Sequence, residues 1–224
     1  MKIAGLCCIA LLVFLGHLIP NSPAHFWLEC FTWPKDWQPV GVTGRLVQGR
    51  IEQLGWLGPV TWDTNLWPPR LSMEAGLQQQ NWQVQLEGWP WQWQARVWPT
   101  HKQPTPQTAV HLEGDWHGQV QIQGQGLVCQ SASGQIQGQW LQLVSPWSMP
   151  LGQAQISLLC AKEPQLKLSV QQPESHQLNM EAYPYAQRSH WQGQLASGSE
   201  WVPILRQLGW LGADEHRFER NLSW

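Results

Sequence analysis

From residue 40 onward the chain alternates apolar and polar positions with a period of two. Trp82-Gln83-Val84-Gln85-Leu86 sets the pattern, and Trp91-Gln92-Trp93-Gln94-Ala95-Arg96-Val97 continues it. Residues 119–123, 135–140, 153–156, 165–170 and 177–180 repeat it. Successive side chains of a strand point to opposite faces, so this alternation places apolar groups on one face and glutamine on the other. It predicts a mainly β chain, a mostly antiparallel sheet with one wet face. Gly and Pro fall between the segments at short intervals, as hairpins require. Gln-Ile-Gln-Gly-Gln occurs at 121–125 and again at 135–139, which reads as two similar strands of one meander rather than a solenoid repeat. Glutamine carries no charge, so edge strands lack the usual electrostatic protection. The edges are therefore expected to be paired, covered or capped.

Helical periodicity is scarce. One short helix near the C-terminus is expected after Ser199, with Trp201, Val202, Leu205 and Leu208 on its apolar face. Ser199 is placed to cap it, Pro203 is tolerated in its first turn, and Gly209 and Gly212 follow its end. Residues 216–222 read as a terminal strand. The polar, proline-rich stretch 99–107 predicts a linker that divides the body into lobes 40–98 and 108–224, or else a long connection within one sheet.

The start of the chain follows another rule. Ile3 to Ile19 is a run of 17 residues, apolar but for His17 near its end and without Asp, Glu, Lys or Arg, ended by Pro20. As a helix it would measure about 25 Å, short for a bilayer core but within reach of a tilted or locally thinned one. It predicts a single N-terminal transmembrane helix, with residues 1–20 as anchor, 21–39 as a juxtamembrane segment and 40–224 as an exported β domain. A cleaved signal peptide with Ser22-Pro23-Ala24 as its small-residue site is the other reading. The length of the run favours the anchor. Lys2 points to a cytoplasmic N-terminus. Phe26, Trp27, Phe31, Trp33 and Trp37 are placed as an aromatic belt at the outer interface would be.

Composition narrows the function. The chain has 224 residues with 13 Lys+Arg against 15 Asp+Glu, a net charge of -2 that offers no basic footprint for nucleic acid. There are 18 Trp and 31 Gln, and only 12% of residues are charged. Trp, Leu and Val recur throughout, which argues against wholesale disorder. Of five cysteines, Cys7 and Cys8 sit in the apolar run, Cys30 lies near the membrane, and Cys129 and Cys160 lie in the exported part. An oxidising compartment makes a Cys129–Cys160 disulfide the preferred pairing, worth about 3–4 kcal/mol by loop closure. Two buried free thiols are the alternative.

No phosphate loop, dinucleotide fingerprint, nucleophile elbow or zinc-protease motif occurs. His111, Glu113, Asp115 and His117 share one strand face and carry metal-binding chemistry. Same-face strand residues fan out, however, so a solvated polar face is the simpler reading. No catalytic residue, cofactor or metal site is assigned.

Three segments resemble the type II secretion system protein N family (general secretion pathway protein N). They are the short N-terminal anchor, the early strand-turn Val42-Thr43-Gly44-Arg45-Leu46-Val47-Gln48-Gly49-Arg50 with Gly58-Pro59-Val60-Thr61-Trp62-Asp63 after it, and the close Leu208-Gly209, Asp214, Arg217-Phe218. Val47 stands where that family commonly has Trp, and His216 where a Gly precedes the Arg. The resemblance implies a curved, mostly antiparallel, AsmA-like periplasmic sheet in an accessory inner-membrane component of the machine that exports folded periplasmic proteins across the outer membrane. It also implies a single-pass bacterial inner-membrane protein with a periplasmic body, no enzymatic activity, and other inner-membrane secretion components as partners. Two alternatives stand beside it: a sheet that binds lipid or another hydrophobic ligand, and a Trp-rich carbohydrate binder using Trp91 and Trp93.

Overall fold

The computed structural model describes Leu18 and residues 20–102, 111–145, 147–161 and 163–223. Apart from Leu18, the apolar run expected to span a membrane lies outside the described residues, as do Cys7, Cys8 and most of the expected linker. Among the described residues no helix is long and apolar enough to cross a membrane.

The body is mainly β. Its strands are β1 (Pro39–Val40), β2 (Thr43–Gly44), β3 (Gln48–Ile51), β4 (Gln53–Leu54), β5 (Val60–Leu66), β6 (Pro69–Leu77), β7 (Gln80–Trp89) and β8 (Gln92–Lys102), followed by β9 (His111–Gln125), β10 (Val128–Ser145), β11 (Met149–Cys160), β12 (Pro164–Gln172), β13 (His176–Tyr183), β14 (Arg188–Leu195) and β15 (Arg217–Ser223). β1 pairs with β4. The other thirteen form one sheet in chain order, and each neighbouring pair is antiparallel. Antiparallel neighbours need only short turns, which is why frequent Gly and Pro suffice to connect them.

The register segregates the two faces along the whole sheet. Gly49, Trp62, Met73, Val84, Val97 and Val120 line up strand by strand in one apolar row. Ile136, Ile156, Leu168, Met180 and Trp191 form another in the second half. The opposite face carries Gln137, Gln155, Ser169, Asn179, Gln192 and Glu219. A slip of one residue would exchange the faces, so the alternation holds each strand in place.

β9 and β10 are the longest strands and join two groups of shorter ones. β8 pairs with β9 only from Trp93↔Gly124 to Val97↔Val120. β11 pairs with β10 only from Ile136↔Ile156 to Leu143↔Met149. Just beyond that second ladder Cys129 and Cys160 are joined, with their Cα atoms 5.4 Å apart. The disulfide thus ties β10 to β11 where backbone pairing has stopped. Trp140 bulges from β10 at a positive φ of 54°, and the register shifts there. The bulge absorbs one step of the alternation, so Leu141 and Leu143 return to the apolar face and are buried.

Pro99–Lys102 belong to β8, so the first part of the expected linker is strand; residues 103–110 are outside the described residues. The C-terminal helix forms over Trp201–Gln207, one residue later than Ser199 capping would place it, with Glu200 at its N-cap. Its Val202 and Leu205 are buried with Leu195, Leu211 and Phe218, and Trp191, Trp201 and Trp210 pack around them. Leu208, expected on that face, is 58% exposed because the helix has ended. Gly209 takes φ 71°, the Gly209 amide donates to the Arg206 carbonyl and the Trp210 amide to that of Leu205. That paired closure is the Schellman arrangement, and it turns Leu208 outward.

The two edges are managed differently. At the first, a short helix (Ala24–Glu29) lies against β2, Pro23 bridges Arg45, and the Leu46 amide donates to the Ser22 carbonyl. At the other, β15 has no covering strand among the described residues and carries Arg217, Glu219 and Arg220. The expected cover is present on one side; on the other, charge does the protecting.

Candidate functional site

The antiparallel order sends alternate turns to the same end of the sheet. The turns after β5, β7 and β9 meet at one end, and their residues are apolar. Trp67 caps the first and Trp89 and Trp91 flank the second. Trp67 and Trp89 meet edge to face at 5.1 Å, and Trp91 stacks on Trp89 at 5.1 Å with planes 3° apart. Leu127 tops the third turn and is 92% exposed, while Trp67 is 77% and Trp91 62% exposed. The turns are stitched to one another: the Gly126 amide donates to the Pro90 carbonyl at 2.7 Å, and the Trp93 indole N–H to the Gly126 carbonyl at 2.9 Å. Below them, Arg70 pairs with Glu87 at 2.9 Å and Arg96 approaches the same carboxylate at 3.6 Å. A groove of about 430 Å³ runs past this pair between Pro68, Gly88 and Gln123.

Trp91 and Trp93 therefore part company. β8 begins at Gln92, so Trp91 sits in the exposed turn while Trp93 lies on the apolar face across from Gly124. The Trp67–Trp89–Trp91 stack escapes a period-two reading because Trp67 and Trp91 belong to turns and Trp89 ends β7; the alternation read from Trp91 begins in the strand only at Gln92. The signal that marks it is proline beside tryptophan, in Trp67-Pro68-Pro69 and Trp89-Pro90-Trp91.

The polar face is held by amide hydrogen bonds and by ion pairs. Gln155 donates to Gln135 at 2.6 Å, Gln83 to Ser72 at 2.9 Å and Gln85 to Glu87 at 2.8 Å. Lys167 and Glu181 form a cross-strand ion pair at 3.0 Å, and the Lys167 ammonium holds the Glu181 carboxyl below its ordinary range.

His111, Glu113, Asp115 and His117, which share one strand face, are not gathered at one point. His111 Nε2 lies 3.2 Å from Glu113, whereas His117 Nε2 lies 3.1 Å from Gln137 on β10. No group of three or more potential ligands forms among the described residues. Cys30 is exposed and its thiol faces the Phe26 carbonyl. Trp37, expected in the aromatic belt, packs edge to face on Trp56 at 5.2 Å.

Among the described residues, His176 is a buried titratable group held in a polar chain. Its Nε2 lies 3.2 Å from the Leu151 carbonyl and its Nδ1 3.1 Å from the Ser175 hydroxyl, which contacts the Ser199 hydroxyl at 3.2 Å. Burial pushes its imidazole below the ordinary value, and the Leu151 carbonyl, accepting from Nε2–H, partly opposes this. The Ser199 hydroxyl also accepts from the Trp201 amide at 3.4 Å, so the chain links β11, β13 and the helix start. With both ring nitrogens engaged, the arrangement suits structural satisfaction.

No protein-family model, curated protein or solved structure matches this chain.

Proposed function

We propose that this protein is a membrane-tethered, non-enzymatic interaction subunit, an accessory inner-membrane component of the type II secretion system with an AsmA-like periplasmic body. The reading rests on the resemblance of residues 42–50, 58–63 and 208–218 to protein N. The observation that carries it is the sheet itself: thirteen antiparallel strands in chain order, with an apolar and a glutamine-rich face, preceded by an apolar run of 17 residues. On this reading residues 1–20 anchor the body, the sheet curves about its apolar face, and the amide-rich face meets other secretion components. A surface rich in amides, with its charges in pairs such as Arg70–Glu87 and Lys167–Glu181, suits polar protein contact. Affinity capture of the tagged full-length chain from detergent-solubilised membranes tests it. Recovery of the other inner-membrane secretion components is the expected result. Their consistent absence, with the bait itself well recovered, overturns the proposal.

A second reading has one specific observation behind it. Trp62, Trp82, Trp93 and Trp116 lie on the apolar face, and the buried Trp82 indole N–H finds no acceptor among the described residues. A face lined this way suits a hydrophobic ligand that ends in an acceptor group. Native mass spectrometry after mild extraction separates the readings: a lipid adduct abolished by Trp82→Phe favours ligand binding, and a ligand-free spectrum removes it.

A further inference from the structure

The chain approaches its sheet from one definite end. The residues that follow the apolar run attach beside the β2–β3 turn: Arg45 donates to Asn21 Oδ1 at 2.9 Å, and the Leu46 amide to the Ser22 carbonyl at 3.0 Å. Register carries that end across the sheet. Gln48 pairs with Asp63 and the Thr64 amide donates to the Val47 carbonyl, so Leu66 and Trp67 lie at the same end. Trp89 and Trp91 join through the ring contacts with Trp67, and Leu127 and Val128 through the Gly126–Pro90 bond. Leu66, Trp67, Trp91, Leu127 and Val128 are each more than half exposed there. One end of the sheet thus holds a continuous apolar cluster of three hairpin tips, on the side where the apolar run meets the body.

Such a cluster is costly in water and suits the interfacial layer of a bilayer. Indole rings prefer that layer, and aliphatic tips reach the acyl boundary. A water-facing protein contact would not explain why the cluster shares its end with Asn21 and Ser22, the residues that follow the apolar run. We propose that the Trp67, Trp89–Trp91 and Leu127–Val128 hairpin tips rest in the surface of the membrane that holds the anchor, so that the sheet stands on the bilayer at several points. This rests on the anchor reading above, and it adds a lipid-contacting surface in the folded body. Tethering by one helix alone would let the body swing. Insertion of three neighbouring tips would fix its orientation and present the glutamine face sideways to partners.

The test uses the full-length chain in phosphatidylcholine vesicles, with the photoreactive residue p-benzoylphenylalanine replacing Trp91 in one variant and Trp56 in another. Trp56 is half exposed and lies past β3, toward the opposite end. Both positions are exposed aromatics, so neither change disturbs the core, and far-ultraviolet circular dichroism of each variant checks that the sheet is intact. Flotation with the vesicles after alkaline washing reports the anchor separately. The expected result is co-flotation of both variants, with lipid adducts roughly tenfold more abundant at position 91 than at 56. Co-flotation with equal or absent lipid adducts at position 91 overturns the tip contact while leaving the anchor standing. Failure to float overturns both.

Discussion

At the scale of single residues, the sheet depends on glycines that leave room for rings on the next strand. Gly49 faces Trp62, Gly124 faces Trp93, Gly138 faces Trp116 and Gly193 faces Phe218, each as a direct cross-strand partner. A Cβ on Gly124 would come within 2.2 Å of the Trp93 ring, which lies flat over that backbone. Gly124→Ala should therefore lower stability by about 1–3 kcal/mol, the cost of overpacking a filled site. Gly198, with open space around it and no unusual φ, should tolerate Ala to within about 0.5 kcal/mol. Urea unfolding of the two variants checks the contrast. His176 gives a second prediction. Its native pKa is depressed, so as pH falls below about 6.5 the unfolded chain takes up a proton that the folded chain resists. Stability should be full above that value and decline as pH drops through the lower native one. His176→Gln should flatten this part of the profile, as read from unfolding midpoints between neutral and mildly acidic pH.

At the scale of elements, the β9–β10 hairpin carries the load. It is the joint between two groups of strands, and its ladder to β11 ends at Ile136. The Cys129–Cys160 bond closes a separation of 31 residues at that end. Replacing both cysteines with Ala should cost about 2–4 kcal/mol through loop closure in the unfolded chain. Hydrogen exchange should show the loss concentrated in residues 128–135 and 157–160, where no β10–β11 ladder backs the bond. Uniform loss across all thirteen strands would show that the hairpin is not a separate joint. The late helix illustrates a different dependence. Arg220 of β15 donates to the Gly209 and Trp210 carbonyls at 3.1 and 3.2 Å, so the helix end is fastened to the strand that its own core covers.

At the scale of the whole molecule, two surfaces of different chemistry lie apart. The polar strand face is rich in amides and holds charges in pairs such as Arg70–Glu87 and Lys167–Glu181, and one end is aromatic. Contacts made by the amide face draw little on net charge. The partner complex captured at low salt should therefore persist at about 1 M salt, where the Debye length is about 3 Å. Dissociation across that range would place charge pairs, such as those of Arg217, Glu219 and Arg220 on the β15 edge, at the centre of the contact instead.

How much of this was readable beforehand varies by scale. The period-two segments 82–86, 119–123, 135–140, 153–156, 165–170 and 177–180 lie inside strands, and 91–97 does so from Gln92 onward, because alternation is a local property that burial of one face enforces. The helix after Ser199 was readable in place but not in extent, since the backbone hydrogen bonds of Gly209 and Trp210 ended it before Leu208. The proline-rich stretch misled at Pro99–Lys102, because proline is accepted in a strand where its missing N–H faces no partner.

The amino-acid order by itself determined the alternation, the two unlike faces and the apolar start, all of which follow from side-chain polarity at neighbouring positions. Tertiary structure alone decided which glycine lies under which ring, where the β9–β10 hairpin hands over from one group of strands to the other, and that Trp67, Trp89, Trp91 and Leu127 share one end with Arg45 and Leu46. Leu46, Trp67, Trp89 and Leu127 follow one another at 21, 22 and 38 positions, and only the register of strands between them brings them together.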